Sequence, residues 1–354
     1  MKTSKRFNLH CAPLLLIILL FFVTSAQSQT VLDSLVLKNG DVIMGEIKSL
    51  DKGVITVETD YSKNDFTIEW YGVREVFCKT RFLIILKNGD RLNGTFYTKE
   101  GGKTLLISGT RSHKDTANFI METSLEDVVY LKGLKGNFWS RMHASIDIGL
   151  NLTRANNLRQ WSSNTKLGYL ADNWSLDAYY NDLISKQDSI KPVRRTESGA
   201  TYNYYLPNDW YAGSSLTFLK NTEQALALRT TAKLGLGKFL IHTNKKYWGL
   251  SGGLSGNNEN FSNEKPSRKS LEAYVGSELN LFDIGDLSLF NSVFVYPSLT
   301  ESGRLRSDIK LDTKYEFFED FYVKLGLTIN YDNRPAVAGR ETDYIFAFNI
   351  GWEL

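Results

Sequence analysis

At 354 residues the chain is too long for one small fold and suits two or three domains, each able to bury its own core. Its 42 basic and 39 acidic residues leave a net charge of +3 with no long basic block, which argues against nucleic acid as a partner. An aromatic content of 13%, with 18 Tyr, 20 Phe and 6 Pro, leans towards strands, and 23% charged residues does not exclude a membrane barrel, whose lipid-facing side chains alternate with polar ones.

Lys2, Lys5 and Arg6 precede an apolar run from Ala12 to Val23, and Thr24-Ser25-Ala26 offers the small residues a signal peptidase accepts. Residues 1–26 therefore read as a cleaved export signal, with Ser28 the second candidate for the cut. About twelve apolar residues fall short of the roughly twenty that span a bilayer as a helix. Cys11 precedes the apolar run, which argues against a lipoprotein, and cleavage leaves Cys78 as a lone thiol, which reads as a small buried hydrophobe.

Leu37-Lys38-Asn39-Gly40-Asp41 recurs as Leu86-Lys87-Asn88-Gly89-Asp90, and Gly45 recurs as Gly94, a repeat of about fifty residues. In the later halves Phe66, Ile68, Glu69 and Val76 align with Phe119, Met121, Glu122 and Val128. The repeat turns Asn39-Gly40 and Asn88-Gly89 lie between alternating apolar residues, a strong hairpin signal because both residue types tolerate positive φ. Each copy, 31–82 and 83–133, is expected to be a small barrel of about five strands. Leu37, Gly40, Gly45 and Ile47 have the spacing of the first Sm-like motif, so the copies resemble Sm-like or SH3-like barrels. Neither Val73-Arg74-Glu75-Val76 nor Leu125-Glu126-Asp127-Val128 supplies the Arg-Gly step of the RNA-binding members, so contact with a periplasmic protein or glycan is the expectation.

From 134 to 354 the pattern becomes long segments of period two. Met142, Ala144, Ile146, Ile148, Leu150 and Leu152 alternate with His143, Ser145, Asp147, Gly149, Asn151 and Thr153. About twelve strands are expected, starting near 142, 161, 173, 194, 209, 226, 246, 270, 287, 304, 321 and 341, an even number that closes a barrel without edges. Short connections alternate with longer ones, and Trp174, Trp210, Trp248, Phe318 and Trp352 cluster beside the short turns as an aromatic girdle. Arg304, Arg306, Asp308, Lys310, Asp312, Lys314 and Glu316 share the polar face of the tenth strand and are the candidates to line a lumen. The last segment, with Phe348, Ile350, Trp352 and Leu354, has the form of the terminal strand that barrel-assembly machinery recognises, ending in Leu where Phe is commoner.

With these residues in hand, the region from Gly136 to Leu354 resembles the family catalogued as domain of unknown function 481, described as salt-induced outer-membrane proteins. The repeats resemble the N-terminal extensions of members from the Bacteroidota. The resemblance implies an all-β fold, with a transmembrane antiparallel barrel, and an outer-membrane location, and it brings no catalytic residue. The expectation is a narrow pore or a membrane platform for periplasmic β modules, with outer-membrane lipid as a partner.

Two competing classes remain. His143 and Ser145 lie two apart, the spacing of a barrel lipid hydrolase, but both point to the predicted lumen and no third partner is legible. A soluble periplasmic barrel that binds ligands would show the same alternation inside out. Four histidines show no metal-ligand spacing, and Gly235-Leu236-Gly237 opens no helix and so is no phosphate loop, leaving no enzyme, metal or cofactor expected.

Overall fold

The computed structural model describes residues 32–99, 102, 104–110, 119–134, 138–154, 157–222, 225–263, 266–318, 321–335 and 341–352, and the expected export signal lies outside them. Ten strands come from the first third: β1 (Asp33–Leu37), β2 (Val42–Asp51), β3 (Val54–Glu58), β4 (Phe66–Glu69), β5 (Val73–Phe77), β6 (Phe82–Leu86), β7 (Arg91–Thr98), β8 (Leu105–Thr110), β9 (Phe119–Thr123) and β10 (Val128–Gly133). The two repeat turns are built alike. The side-chain oxygen of Asn39 accepts the Asp41 N–H at 3.0 Å and that of Asn88 accepts the Asp90 N–H at 3.1 Å, while Gly40 and Gly89 hold φ of 95° and 84°.

Two independent five-strand barrels do not form. Strands β1, β5, β7, β6, β10 and β2 close one six-stranded barrel, in which β5 pairs with β7 and β10 with β2, so each repeat completes the other. Core size explains the merger, because about fifty residues bury too little apolar surface to stand alone. Leu35, Ile47 and Val76 of the first copy share one buried cluster with Ile84, Phe96 and Leu131 of the second. Each such side chain contributes about 1.5–3 kcal/mol.

The pairing also corrects the alignment of the later halves. Ile47 pairs with Val57 and Val57 with Phe66, as Phe96 pairs with Ile107 and Ile107 with Met121. Val73 sits opposite Leu37 as Val128 sits opposite Leu86. Phe66 therefore corresponds to Met121, and Val73 to Val128. The Phe and Glu identities two residues upstream are coincidental, since core-facing parity sets strand register.

The remaining strands are β11 (Met142–Thr153), β12 (Leu158–Leu170), β13 (Trp174–Gln187), β14 (Ile190–Tyr205), β15 (Trp210–Asn221), β16 (Leu226–His242), β17 (Lys246–Phe261), β18 (Arg268–Ile284), β19 (Leu287–Pro297), β20 (Leu305–Phe318), β21 (Phe321–Asp332) and β22 (Thr342–Trp352). Each pairs antiparallel with the next, and none starts more than four residues from its expected position. Ile146, Ile148, Leu150 and Leu152 at one end of the sheet, and Tyr344, Phe346, Phe348 and Ile350 at the other, are exposed on the apolar face. On the polar face Lys233 Nζ of β16 donates to the Tyr296 hydroxyl of β19 at 2.6 Å, three strands away, so the sheet curls towards that face.

Closure differs from expectation. Among the described residues no ladder joins β11 to β22, and the sheet ends in two edges. The contacts that curl the sheet gather on β16 to β21, whereas β11 is exposed along nearly its whole length and, among the described residues, its polar-face ion pair reaches only to Asp177 of β13. Unpaired backbone groups are tolerated where water reaches them, and hydrocarbon would force them to pair.

Candidate functional site

The polar, inner face carries a buried ionic cluster at the long-loop end. The Glu259 carboxylate is 1% exposed and is held by Arg229 at 2.6 Å, Arg268 at 2.7 Å and Arg304 at 3.5 Å, brought together from β16, β18 and the residue preceding β20. Arg304 also reaches Asp332 of β21 at 2.7 Å. One layer further in, Glu272 is wholly buried and takes two bonds from Arg306, at 2.9 and 2.6 Å, plus one from the Asn257 amide at 2.8 Å. Paired in this way the charges offset the cost of leaving water, and removing one partner of such a pair typically costs about 3–5 kcal/mol.

The row predicted on the tenth strand, β20, divides. Arg304 and Arg306 are buried in the cluster, while Lys310 and Asp312 have side chains 53% and 51% exposed and pair with each other along their own strand at 3.1 Å. Lys314 and Glu316 do the same at 2.7 Å, and Asp308 lies on the same face between the two regimes. Sequence reasoning missed Arg229, Glu259, Arg268, Glu272 and Asp332. Their parity on neighbouring strands was the available signal, since each lies on the face opposite the apolar row. Between the layers Tyr274 lies over Gly235, where a β-carbon would run into its hydroxyl, so the glycine-rich alternation of these strands makes room for rings on the inner face.

The short-turn end is where the six-stranded barrel sits. Arg91 of β7 donates to the carbonyls of Asp172 and, at 3.3 Å, Ala171, and its guanidinium lies 4.1 Å from the centre of the Tyr205 ring. Burial pulls the Arg91 pKa below its ordinary value, with Tyr205, Tyr130 and Asp172 opposing that shift. The next turns are also engaged. Gly89 faces Asp209, Asn244 donates to the Val128 carbonyl at 2.7 Å, and Lys52 lies 5.4 Å from the Phe282 ring centre. Four successive short turns thus carry the small barrel, which no motif announced.

Trp174, Trp210, Trp248 and Trp352 all lie on the parity of the apolar face near this end. Trp174 pairs with Tyr204, Trp210 with Lys238, Trp248 with Leu279, and Trp352 with Phe321. Phe318 ends β20 opposite Phe321. In the terminal strand Phe348, Ile350 and Trp352 are exposed together on that face, and Leu354 lies outside the described residues. The hydrolase pair is not assembled: His143 Nε2 is 3.4 Å from Asp177, and no hydrogen bond joins it to Ser145 among the described residues.

A twelve-stranded antiparallel meander with an apolar outer face, a polar inner face and a small β barrel seated on its short turns defines an all-β protein of the barrel-sheet class. The chain belongs to the DUF481 family of proteins of unknown function, whose model matches residues 146–353. No curated protein matches it. The solved structure of CdiB from Acinetobacter baumannii is similar over 91% of this chain and 58% of its own, at 10% identity and a TM-score of 0.27. The chain therefore spans under two thirds of that protein's length.

Proposed function

We propose that the curled sheet is a transmembrane barrel of the outer membrane and serves as a platform that holds the six-stranded barrel in the periplasm. The observation that carries this reading is the inner-face cluster: Glu259 and Glu272 are buried in multiple ion pairs at the long-loop end, which fills a narrow lumen instead of wetting it. In hydrocarbon β11 and β22 complete the wall, because each unpaired backbone group there costs several kcal/mol. Lipid then covers the apolar face, the tryptophans mark the periplasmic interface, and Phe348, Ile350 and Trp352 present the strand that assembly machinery engages. The role so read is structural, with partners reached through the repeats.

A narrow pore is the second reading, favoured by the half-exposed Lys310 and Asp312 on the inner face. Planar-bilayer recording of purified, folded protein separates the two. The platform reading predicts no steady conductance from the wild type and the appearance of one when Glu272 and Arg306 are both replaced by Ala. Steady wild-type conductance, with a reversal potential that shifts towards cations in Lys310→Glu/Lys314→Glu, would decide for the pore.

A further inference from the structure

On the outward face of four consecutive strands, β12 to β15, the same order of side chains recurs. Tyr169, Trp174, Tyr204 and Trp210 stand at the short-turn end, and Arg159, Lys186, Arg194 and Lys220 stand at the long-loop end. Arg159 lies opposite Lys186, Ile184 opposite Arg194, and Thr196 opposite Lys220, all on the parity of the exposed Leu167, Leu176 and Leu216. About ten residues separate aromatic from basic on each strand, which at roughly 3.3 Å per residue and a tilt of about 40° spans about 25 Å, the height of a barrel's apolar band.

The four cations are exposed and stand on adjacent strands. The run stops at β16, where the matching outward position is Leu228, and β20 and β21 carry Leu305 and Tyr331 there, while Lys269 of β18 is a further exposed cation on this parity, separated from the four by two strands. Asp182 takes Arg194 at 3.2 Å, while Arg159, Lys186 and Lys220 have no ion pair among the described residues. Cations placed just beyond a hydrocarbon band on the lipid side meet head groups, and the anion available at that depth is phosphate, which Arg binds through two N–H groups and Lys as a point charge.

We propose that Arg159, Lys186, Arg194 and Lys220 form a binding site for a phosphorylated lipid of the outer leaflet, an inference that rests on the membrane-spanning reading of the sheet. The test uses full-length protein in phosphatidylcholine nanodiscs, with bis-phosphorylated lipid A as probe and native mass spectrometry as readout. Wild-type protein should retain lipid A, and Arg159→Gln/Lys186→Gln/Lys220→Gln should bind it about tenfold or more weakly, with Lys186→Gln alone intermediate. Lipid A stripped of its phosphates should bind no better than phosphatidylcholine, and inorganic phosphate should not displace the intact lipid. Equal binding by the triple variant, equal binding of the stripped lipid, or displacement by inorganic phosphate overturns the site. Heat-modifiable migration and protease resistance score insertion separately. A wild type that inserts without preferring lipid A loses only the lipid site, whereas one that does not insert refutes the membrane reading and the site with it.

Discussion

Cys78 and Asp33 show what single residues contribute inside the six-stranded barrel. The Cys78 thiol is 5% exposed, and burial, with the Asp33 carboxylate adding to it, pushes its pKa from 9.0 up to about 12. An unfolded chain gives up that proton near 9 and the folded chain only near 12, so Cys78 subtracts stability as pH rises between those values. Iodoacetamide at pH 8 should therefore modify the folded protein far more slowly than the urea-unfolded chain, followed by mass shift. Equal rates would mean the thiol is not in this core. Asp33, itself wholly buried, accepts hydrogen bonds from the Ile47 and Lys79 N–H groups at 3.2 and 2.9 Å and from the Thr80 hydroxyl at 3.2 Å, tying the first strand to the second and to the link between repeats. Replacing Asp33 by Ala strands those donors and should cost about 2–4 kcal/mol. Hydrogen exchange of β1 and β2 in the full-length protein should show the loss, and unchanged protection would contradict it. The burial of Cys78 was legible from its lone, apolar setting, whereas the role of Asp33 was not, since an Asp between Leu32 and Ser34 has the pattern of any strand-edge acid.

At the scale of elements, the two Asn-Gly turns are nearly identical in sequence and local geometry yet occupy different surroundings. A β-carbon on Gly40 would meet nothing within 4 Å, whereas one on Gly89 would come within 2.5 Å of the Asp209 backbone nitrogen. Both hold positive φ, so either Gly→Ala change brings backbone strain of about 1 kcal/mol. Only Gly89→Ala should also disturb the seat on the barrel turns. Limited proteolysis should then show faster cleavage between the six-stranded barrel and β11 in Gly89→Ala than in Gly40→Ala, and equal rates would mean that Gly89 does not seat the barrel. Strand positions were readable because alternation is a local signal and each strand pairs with its sequence neighbour. Pairing between the repeats was not, since β5 with β7 and β10 with β2 are long-range choices made by the shared core. The same limit applies to the inner face. Parity places Arg306 there, but which carboxylate it meets depends on the curl that brings β18 and β20 within reach.

The whole molecule combines a sheet whose outer face suits hydrocarbon with a six-stranded barrel anchored on four of its short turns. On the proposed membrane reading, the longer connections between β17 and β22 and the tryptophans near the short turns put the small barrel inside the envelope and the long loops outside. With Cys11 replaced by Ser, the buried state of Cys78 makes a direct topological measurement feasible, because an introduced cysteine is then the accessible thiol. Asn64→Cys places a thiol on the exposed loop after β3, and Ser267→Cys places one on the long connection before β18. A bulky polyethylene-glycol maleimide added to intact cells should label Ser267→Cys, and should label Asn64→Cys only after the outer membrane is permeabilised. Labelling of Asn64→Cys in intact cells, or protection of Ser267→Cys there, would contradict the account.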